Sequence, residues 1–197
     1  MSAPLSDATL DQLFRHARTF NAWQDKDVTD GQLKELYDLM KMGPTSANSS
    51  PVRVIFIKSK DAKARLKPFL SENNAEKTMQ APVTAIIATD FAFYDHLPKL
   101  FPHAPARDWF VGNDALIEAT AFRNSTLQGG YLIMAARSLG LDCGPMSGYD
   151  QAGLDAEFFP GTHVKSNFLV NIGYGNPDKN LFGRLPRFDF DEVAQIL

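Results

Sequence analysis

The residues of this chain that can do chemistry are dispersed along it. The four histidines, His16, His96, His103 and His163, lack the spacing of metal ligands, and no metal site is expected. The one cysteine, Cys143, stands in LDCGPM, read as an apolar turn, with no basic neighbour in sequence. It reads as a small buried residue rather than a nucleophile. There is no GxSxG elbow and no GxxxxGK[ST] loop. GYGNPD begins like a dinucleotide fingerprint, but Pro177 and Asp178 stand where a helix and a third glycine should follow. What remains is a distributed polar set: RHARTFN at 15–21, PTSANSSP at 44–51, NNAEK at 73–77, GPMSGYD at 144–150 and GRLPR at 183–187. Each alone is an ordinary loop or a solvated charge. Together they offer cations and a hydroxyl for a phosphate, amides and hydroxyls for the polar edge of a ring, and apolar surface for its face.

These groups need elements to carry them. A helix is expected over residues 7–18, capped by Ser6. A second starts at Thr29, where Gln32 completes a capping box, runs through Leu33, Leu36, Tyr37 and Met40, and stops at Gly43-Pro44. Residues 52–57 read as a strand, 60–70 as a helix, and 83–88 as an apolar strand buried on both faces. Residues 91–112 mix aromatics with prolines and read as irregular helix and loop. One long helix is expected over 113–139, ended by Gly140. Its middle, STLQGGYLIMAA, is apolar or small all round, so it should be buried. Gly129-Gly130 within it costs helix propensity, about 1 kcal/mol each, and points to close approach by a neighbouring helix or a ligand. Residues 165–172 read as a third strand, and 174–197 as a tail ending in a short amphipathic segment. The elements do not alternate as βαβ units. The class is therefore α+β, with helices around one small mixed β-sheet in a single domain over 1–197.

Composition narrows the function classes. A formal net charge of -3 and a pI near 5.8 argue against a nucleic-acid partner. With one cysteine no intrachain disulfide can form, which fits a reducing compartment. The opening MSAPLSDATLDQL lacks the pattern of a signal peptide, and the apolar runs are too short to span a bilayer. A cytoplasmic protein with no membrane partner is expected.

In combination, the order and spacing of the polar set resemble the nitroreductase family over nearly the whole chain. That family opens with a basic-Ser/Thr-x-basic pattern for the phosphate and ribityl chain of FMN. Arg18, Thr19 and Asn21 occupy those places, although Ala17 and Asn21 stand where many members carry a base. The family's PSSxNSxP loop is matched by Pro44, Thr45, Ser46, Asn48, Ser49 and Pro51; the resemblance implies that it reaches the flavin across a dimer interface. Asn74 and Lys77 match the Asn-x-x-Lys element expected at the pyrimidine edge. Pro145, Met146, Ser147, Gly148 and Tyr149 match a Pro-x-Glu-Gly-Phe turn whose backbone amides face the central ring, with serine replacing glutamate. Arg184 matches the late basic residue of the phosphate site. The segment 100–110, LFPHAPARDWF, lies where the family places a flap, making His103, Arg107 and Trp109 the candidate substrate residues.

The longer strings KMGPTSANSSP, AFRNSTLQ, GPMSGYD and KSNFLVNIGYG resemble the malonic semialdehyde reductase branch of the family, associated with pyrimidine degradation and also with general NADH dehydrogenase or nitroreductase activity. The resemblance implies an intertwined homodimer with FMN as cofactor and NAD(P)H as co-substrate. It implies two hydride half-reactions in which the flavin, not a protein nucleophile, carries the chemistry. The leading expectation is reduction of malonic semialdehyde to 3-hydroxypropionate. The alternatives are a broad nitro or quinone reductase and, from another class, a flavin-binding protein without turnover.

Overall fold

The computed structural model describes residues 3–197 and forms helices on both faces of a four-stranded sheet. The strands are β1 (Val52–Ile57), β2 (Val83–Asp90), β3 (Asp142–Met146) and β4 (Val164–Gly173), in the order β1-β2-β4-β3. Every neighbouring pair is antiparallel. The expectation of a mixed sheet is corrected accordingly. The one parallel pairing among the described residues is an isolated bridge from Thr19 to Cys143 at the sheet's edge.

The helices are α1 (Asp7–Leu10), α2 (Asp30–Met40), α3 (Lys60–Leu66), α4 (Glu72–Gln80), α5 (Leu97–Leu100), α6 (Asp114–Ser138), α7 (Gln151–Phe158) and α8 (Phe190–Val193). Strand β2 is buried along its whole length. Its alternation divides the core in two. Val83, Ala85 and Ile87 pack with Leu33, Leu36 and Met40 of α2 and Leu132, Ala135 and Ala136 of α6. Ile86 faces the other way, with Leu66 of α3 and Leu154 of α7. A third cluster, Phe93, Leu97, Ala106, Phe110 and Ala121, holds the irregular 91–112 segment against α6.

Local signals account for most of the helix ends. Thr29 and Gln32 form the capping box of α2, and Ser6 caps α1. The first helix is shorter than expected: α1 passes into a wide turn, Asp11–Arg15, which frees residues 16–21 to run along β3. The 60–70 helix ends at Leu66 and tightens into the turn Lys67–Phe69, where Pro68 has no N–H to continue it. LDCGPM is no turn: residues 142–146 are β3, an edge strand, where Pro145 is tolerated. Helix α4 was not foreseen, because the residues it buries, Asn74 and Thr78, are polar.

The long helix α6 has the expected bounds, with Asn113 as its cap. Only one side of its middle is buried: Leu127 is exposed, as is Phe122 before it. Gly129 is crowded by the ring of Phe168 on β4, so within this chain its close neighbour is the sheet, and a Cβ on Gly130 would meet nothing among the described residues. The tail beyond β4 leaves Phe182, Leu185, Phe188, Phe190, Val193 and Ile196 exposed, so residues 182–197 make an apolar arm that nothing among the described residues covers. No helix among the described residues is long and apolar enough to cross a membrane.

Candidate functional site

Residues 18–24 are stitched between β3 and the chain that leaves β4. Phe20 N–H donates to the Cys143 carbonyl (3.1 Å), Gln24 N–H to Tyr174 O (2.8 Å), and Asn176 N–H to Ala22 O (3.0 Å). This seam places Arg18, Thr19 and Asn21 beside the tail. The result is a cavity of 470 Å³ whose lining includes Arg18, Thr19, Asn21, Arg137, Arg184 and Arg187. Its four guanidinium groups form no salt bridge among the described residues. Arg18 donates to the Phe182 carbonyl. Arg184 donates to Arg15 O (2.7 Å) and Ala17 O (3.1 Å), and Arg187 to Leu185 O and Pro186 O. Arg137 donates to Leu13 O (2.9 Å), and its Nε is buried with no partner. Its charge draws on Asp142, but burial dominates there and holds that carboxyl above its usual range. Carbonyls orient these cations without neutralising them, so the cavity is built for an anion rich in acceptor oxygens, such as a phosphate. Arg137, from the last turn of α6, was not foreseen; in sequence it is only a helix-end arginine.

A second cavity of 230 Å³ shares Asn21 and Phe182 with the first and is lined also by Asn73, Glu76, Lys77, Gln80 and Asn180. Helix α4 supplies Lys77, whose pKa burial lowers. An adjacent negative charge would favour its protonated form again. One turn back, Asn74 is buried and donates to Gly148 O (2.9 Å), while Ser71 N–H donates to the same carbonyl (3.1 Å). Pro145, Ser147 and Gly148 are exposed and Met146 half-buried. A Cβ on Gly148 would lie 2.6 Å from Asn74 Nδ2 and 2.7 Å from Ser71 Oγ, so space, not an unusual φ, requires glycine there. Cys143 is 1% exposed and its thiol is pushed up to about 12 by burial, which leaves it chemically quiet at neutral pH.

Loop 44–51 is held elsewhere. Ser46 N–H donates to Asn124 Oδ1 of α6 (2.8 Å), and Asn48 Nδ2 to Leu100 O (2.8 Å). Ala47, Asn48 and Ser50 all have positive φ, three of the four such non-glycine residues among those described. That strain is sustained by the surrounding bonds and is typical of functional loops. None of Pro44, Thr45, Ser46 or Asn48 lines either arginine-side cavity. The 100–110 segment is likewise separate. His103 and Arg107 share a cavity of 440 Å³ with Pro98, Pro102 and Pro105, while Trp109 stands half exposed against Phe101. Arg107 pairs with Asp95 (2.8 Å) and lies over the Tyr94 ring. Within one protomer the structure thus gathers Arg18, Thr19, Asn21, Arg184, Asn74, Lys77 and the 145–148 turn on one side. It leaves Pro44, Thr45, Ser46, Asn48, His103, Arg107 and Trp109 off that site.

The fold and this site define a class. The family model described as the nitroreductase family matches residues 14–174. A Burkholderia lata protein named as an NADH dehydrogenase/NAD(P)H nitroreductase is 68% identical over 192 residues, covering 98% of each chain. One of the same name from Stenotrophomonas maltophilia is 59% identical over 196 residues, covering 100% of each. Among solved structures, an Exiguobacterium sibiricum protein described as a nitroreductase in complex with FMN superimposes with a TM-score of 0.85 at 18% identity, covering 100% of both chains. A Bacillus subtilis nitroreductase-type structure gives 0.83 at 17%, covering 98% of this chain and 100% of its own. The chain belongs to the nitroreductase family.

Proposed function

We propose that the protein is an FMN-dependent oxidoreductase that takes reducing equivalents from NAD(P)H and passes them to a small organic acceptor. The observation that carries this reading is a pair of cavities that share Asn21 and Phe182, one lined by four arginines outside any salt bridge among the described residues and the other by Lys77 of α4, the helix whose Asn74 holds the Gly148 carbonyl. The residues fit the cofactor. Arg18, Arg137, Arg184, Arg187 and the Thr19 hydroxyl would hold its phosphate. Lys77 and Asn74 would meet the pyrimidine edge, and the backbone at Pro145, Met146, Ser147 and Gly148 the ring. Bound FMN supplies the hydride acceptor and donor. The chain's own residues bind, orient and supply positive charge where the reduced ring becomes anionic. Purified protein should be yellow and bleach when NADH is added without oxygen. Colourless protein with no affinity for added FMN overturns the reading.

The working form in this proposal is an intertwined homodimer. The apolar arm at 182–197 and the exposed Phe122 and Leu127 of α6 call for a partner surface. The strained 44–51 loop lies off its own cavity and is free to complete a second copy's site. Sedimentation at micromolar concentration should give a dimer; a stable monomer retaining tight FMN overturns this.

For the acceptor, the finer reading is malonic semialdehyde, reduced to 3-hydroxypropionate, in a pyrimidine-breakdown setting. It rests on the four long strings, and on Arg107, which already holds one carboxylate, Asp95, at an exposed position where another could exchange with it. A broad nitro or quinone reductase is the second reading, favoured by the names of the relatives. Turnover of malonic semialdehyde against a neutral quinone separates the two.

A further inference from the structure

Behind the 145–148 turn lies a buried polar chain that the cofactor contacts do not use. Lys63 on α3 is 4% exposed, yet it meets no carboxylate among the described residues. Its Nζ donates to Thr78 O of α4 (2.7 Å) and to Thr84 Oγ1 of β2 (2.6 Å). Thr84 Oγ1 donates to Asn171 Oδ1 of β4 (2.7 Å). Asn171 Nδ2 donates to Thr78 Oγ1 (3.2 Å), which donates to Met146 Sδ at the end of β3 (3.3 Å). Thr78, Thr84 and Asn171 are fully buried. The residues that meet Lys63 and its chain from α4, β2, β3 and β4 are all uncharged.

We propose that Lys63 is a positioning residue for the flavin site, one that locks α4 and the Met146–Gly148 turn into a fixed mutual register. A lysine donates and does not accept in its charged form, so it forces the direction of every bond after it. Thr84 must donate onward, Asn171 must present its amide to Thr78, and the Thr78 hydroxyl must point at Met146. Helix α4 then grips the turn at two points on one face: Thr78 at Met146, and Asn74, four residues earlier, at Gly148. The same ammonium caps a carbonyl at the C-terminal end of α4, where the helix dipole favours a cation. Burial lowers the Lys63 pKa to about 7, and a neutral amine still has two N–H groups for its two acceptors. The two donor bonds from Nζ can therefore persist without the charge. A buried chain of this kind is costly when half satisfied, so removing its first donor should loosen the far end.

This inference rests on the flavin reading, and its test separates the two. Lys63→Met keeps the length and removes the donor; Thr84→Val cuts the chain one bond later with little change of shape. Both should remain folded by circular dichroism and bind FMN about fivefold or more weakly, the factor expected for one lost buried hydrogen bond. Amide exchange in flavin-free protein reads the turn directly. The amides of residues 146–149 should exchange faster in both variants, while those of Ile86 and Ile87 in β2 slow or speed only with global stability. A merely structural lysine would move all amides together and leave the affinity of the folded protein for FMN unchanged, and that result overturns the proposal. If Lys63→Met fails to fold, Thr84→Val decides on the same two readings. If the wild-type protein binds no FMN, the functional reading fails, while faster exchange confined to 146–149 still upholds the positioning role.

Discussion

Two arginine-bearing regions of this molecule look alike in sequence and differ in structure. Arg107 sits among aromatics and prolines in the 100–110 segment and is neutralised by Asp95, with both partners about half exposed. Arg18, Arg137, Arg184 and Arg187 sit in a cavity where backbone carbonyls hold them and, among the described residues, no carboxylate does. A carbonyl fixes a guanidinium's direction and leaves its charge available, whereas a carboxylate takes both. The pairing of a cation, rather than its presence, therefore marks the place that awaits an anion. An exposed pair such as Arg107–Asp95 contributes little to stability, about 0–1 kcal/mol, so its interest lies in exchange with a second carboxylate.

The largest effect should come from the 145–148 turn. Gly148→Val places its side chain into Asn74 and Ser71. FMN binding should be lost while the fold persists by circular dichroism; retained tight binding would detach the turn from the site and break the comparison. Next, Arg184→Ala and Arg137→Ala should each weaken FMN by about ten- to a hundredfold, the equivalent of one charge-assisted contact of about 1.5–3 kcal/mol. Arg107→Ala should leave FMN affinity unchanged. Equal losses across the two regions in a fluorescence titration would erase the distinction drawn from their partners.

Arg107 has its own test. If it trades Asp95 for the acceptor's carboxylate, Arg107→Ala should raise the Michaelis constant for malonic semialdehyde about thirtyfold more than for a neutral quinone, or about 2 kcal/mol. Matched losses would mean that it only braces the segment against Asp95 and Tyr94, and the broad-reductase reading would gain.

Lys63 supplies a third kind of cation, buried and with no carboxylate partner among the described residues. Its pKa falls from 10.5 to about 7 through burial. Between those values the unfolded chain holds the extra proton, so stability should rise with pH from about 7 upward and be independent of this group below. The contribution should reach about 1.4 kcal/mol per pH unit. Urea unfolding at pH 7, 8 and 9 should show this slope in the wild type and lose it in Lys63→Met. Parallel slopes would mean that the amine is hydrated in solution.

What the sequence revealed, and what it hid, follows the same physics. Strands β1 and β2 and helices α2 and α6 were legible because apolar periodicity and caps are local signals. Helix α4 was hidden because its buried face is Asn74 and Thr78, and β3 because glycine and proline are tolerated at a sheet's edge. Of the residues singled out by motif spacing, Arg18, Thr19, Asn21 and Arg184 line one cavity, and Lys77 lines a second that shares Asn21 with it, with Asn74 one turn away on the same helix. Arg137 was invisible because only tertiary packing brings the last turn of α6 to Leu13 and to the cavity lined by Arg18, Thr19 and Asn21. Lys63 carries no motif at all; its role depends on four partners from four other elements.

The smallest expected effect belongs to Ser147, where the family's glutamate is replaced. Its side chain is exposed and makes no hydrogen bond among the described residues, while the turn around it is fixed by Asn74 and Ser71 at the Gly148 carbonyl. The backbone amide at 147 is thus held in place whatever side chain it bears. Ser147→Ala should bind FMN within about twofold of wild type and keep most of its NADH turnover, since an exposed hydroxyl free of partners contributes little. The measurement is a stopped-flow pair: flavin reduction by NADH, then reoxidation by the acceptor. A variant that binds FMN and is reduced normally, yet fails in reoxidation by the aldehyde alone, would give the hydroxyl a proton-donating role toward the acceptor oxygen. That outcome would move substrate recognition from the Arg107 segment to the cofactor turn, and the two regions compared above would exchange roles.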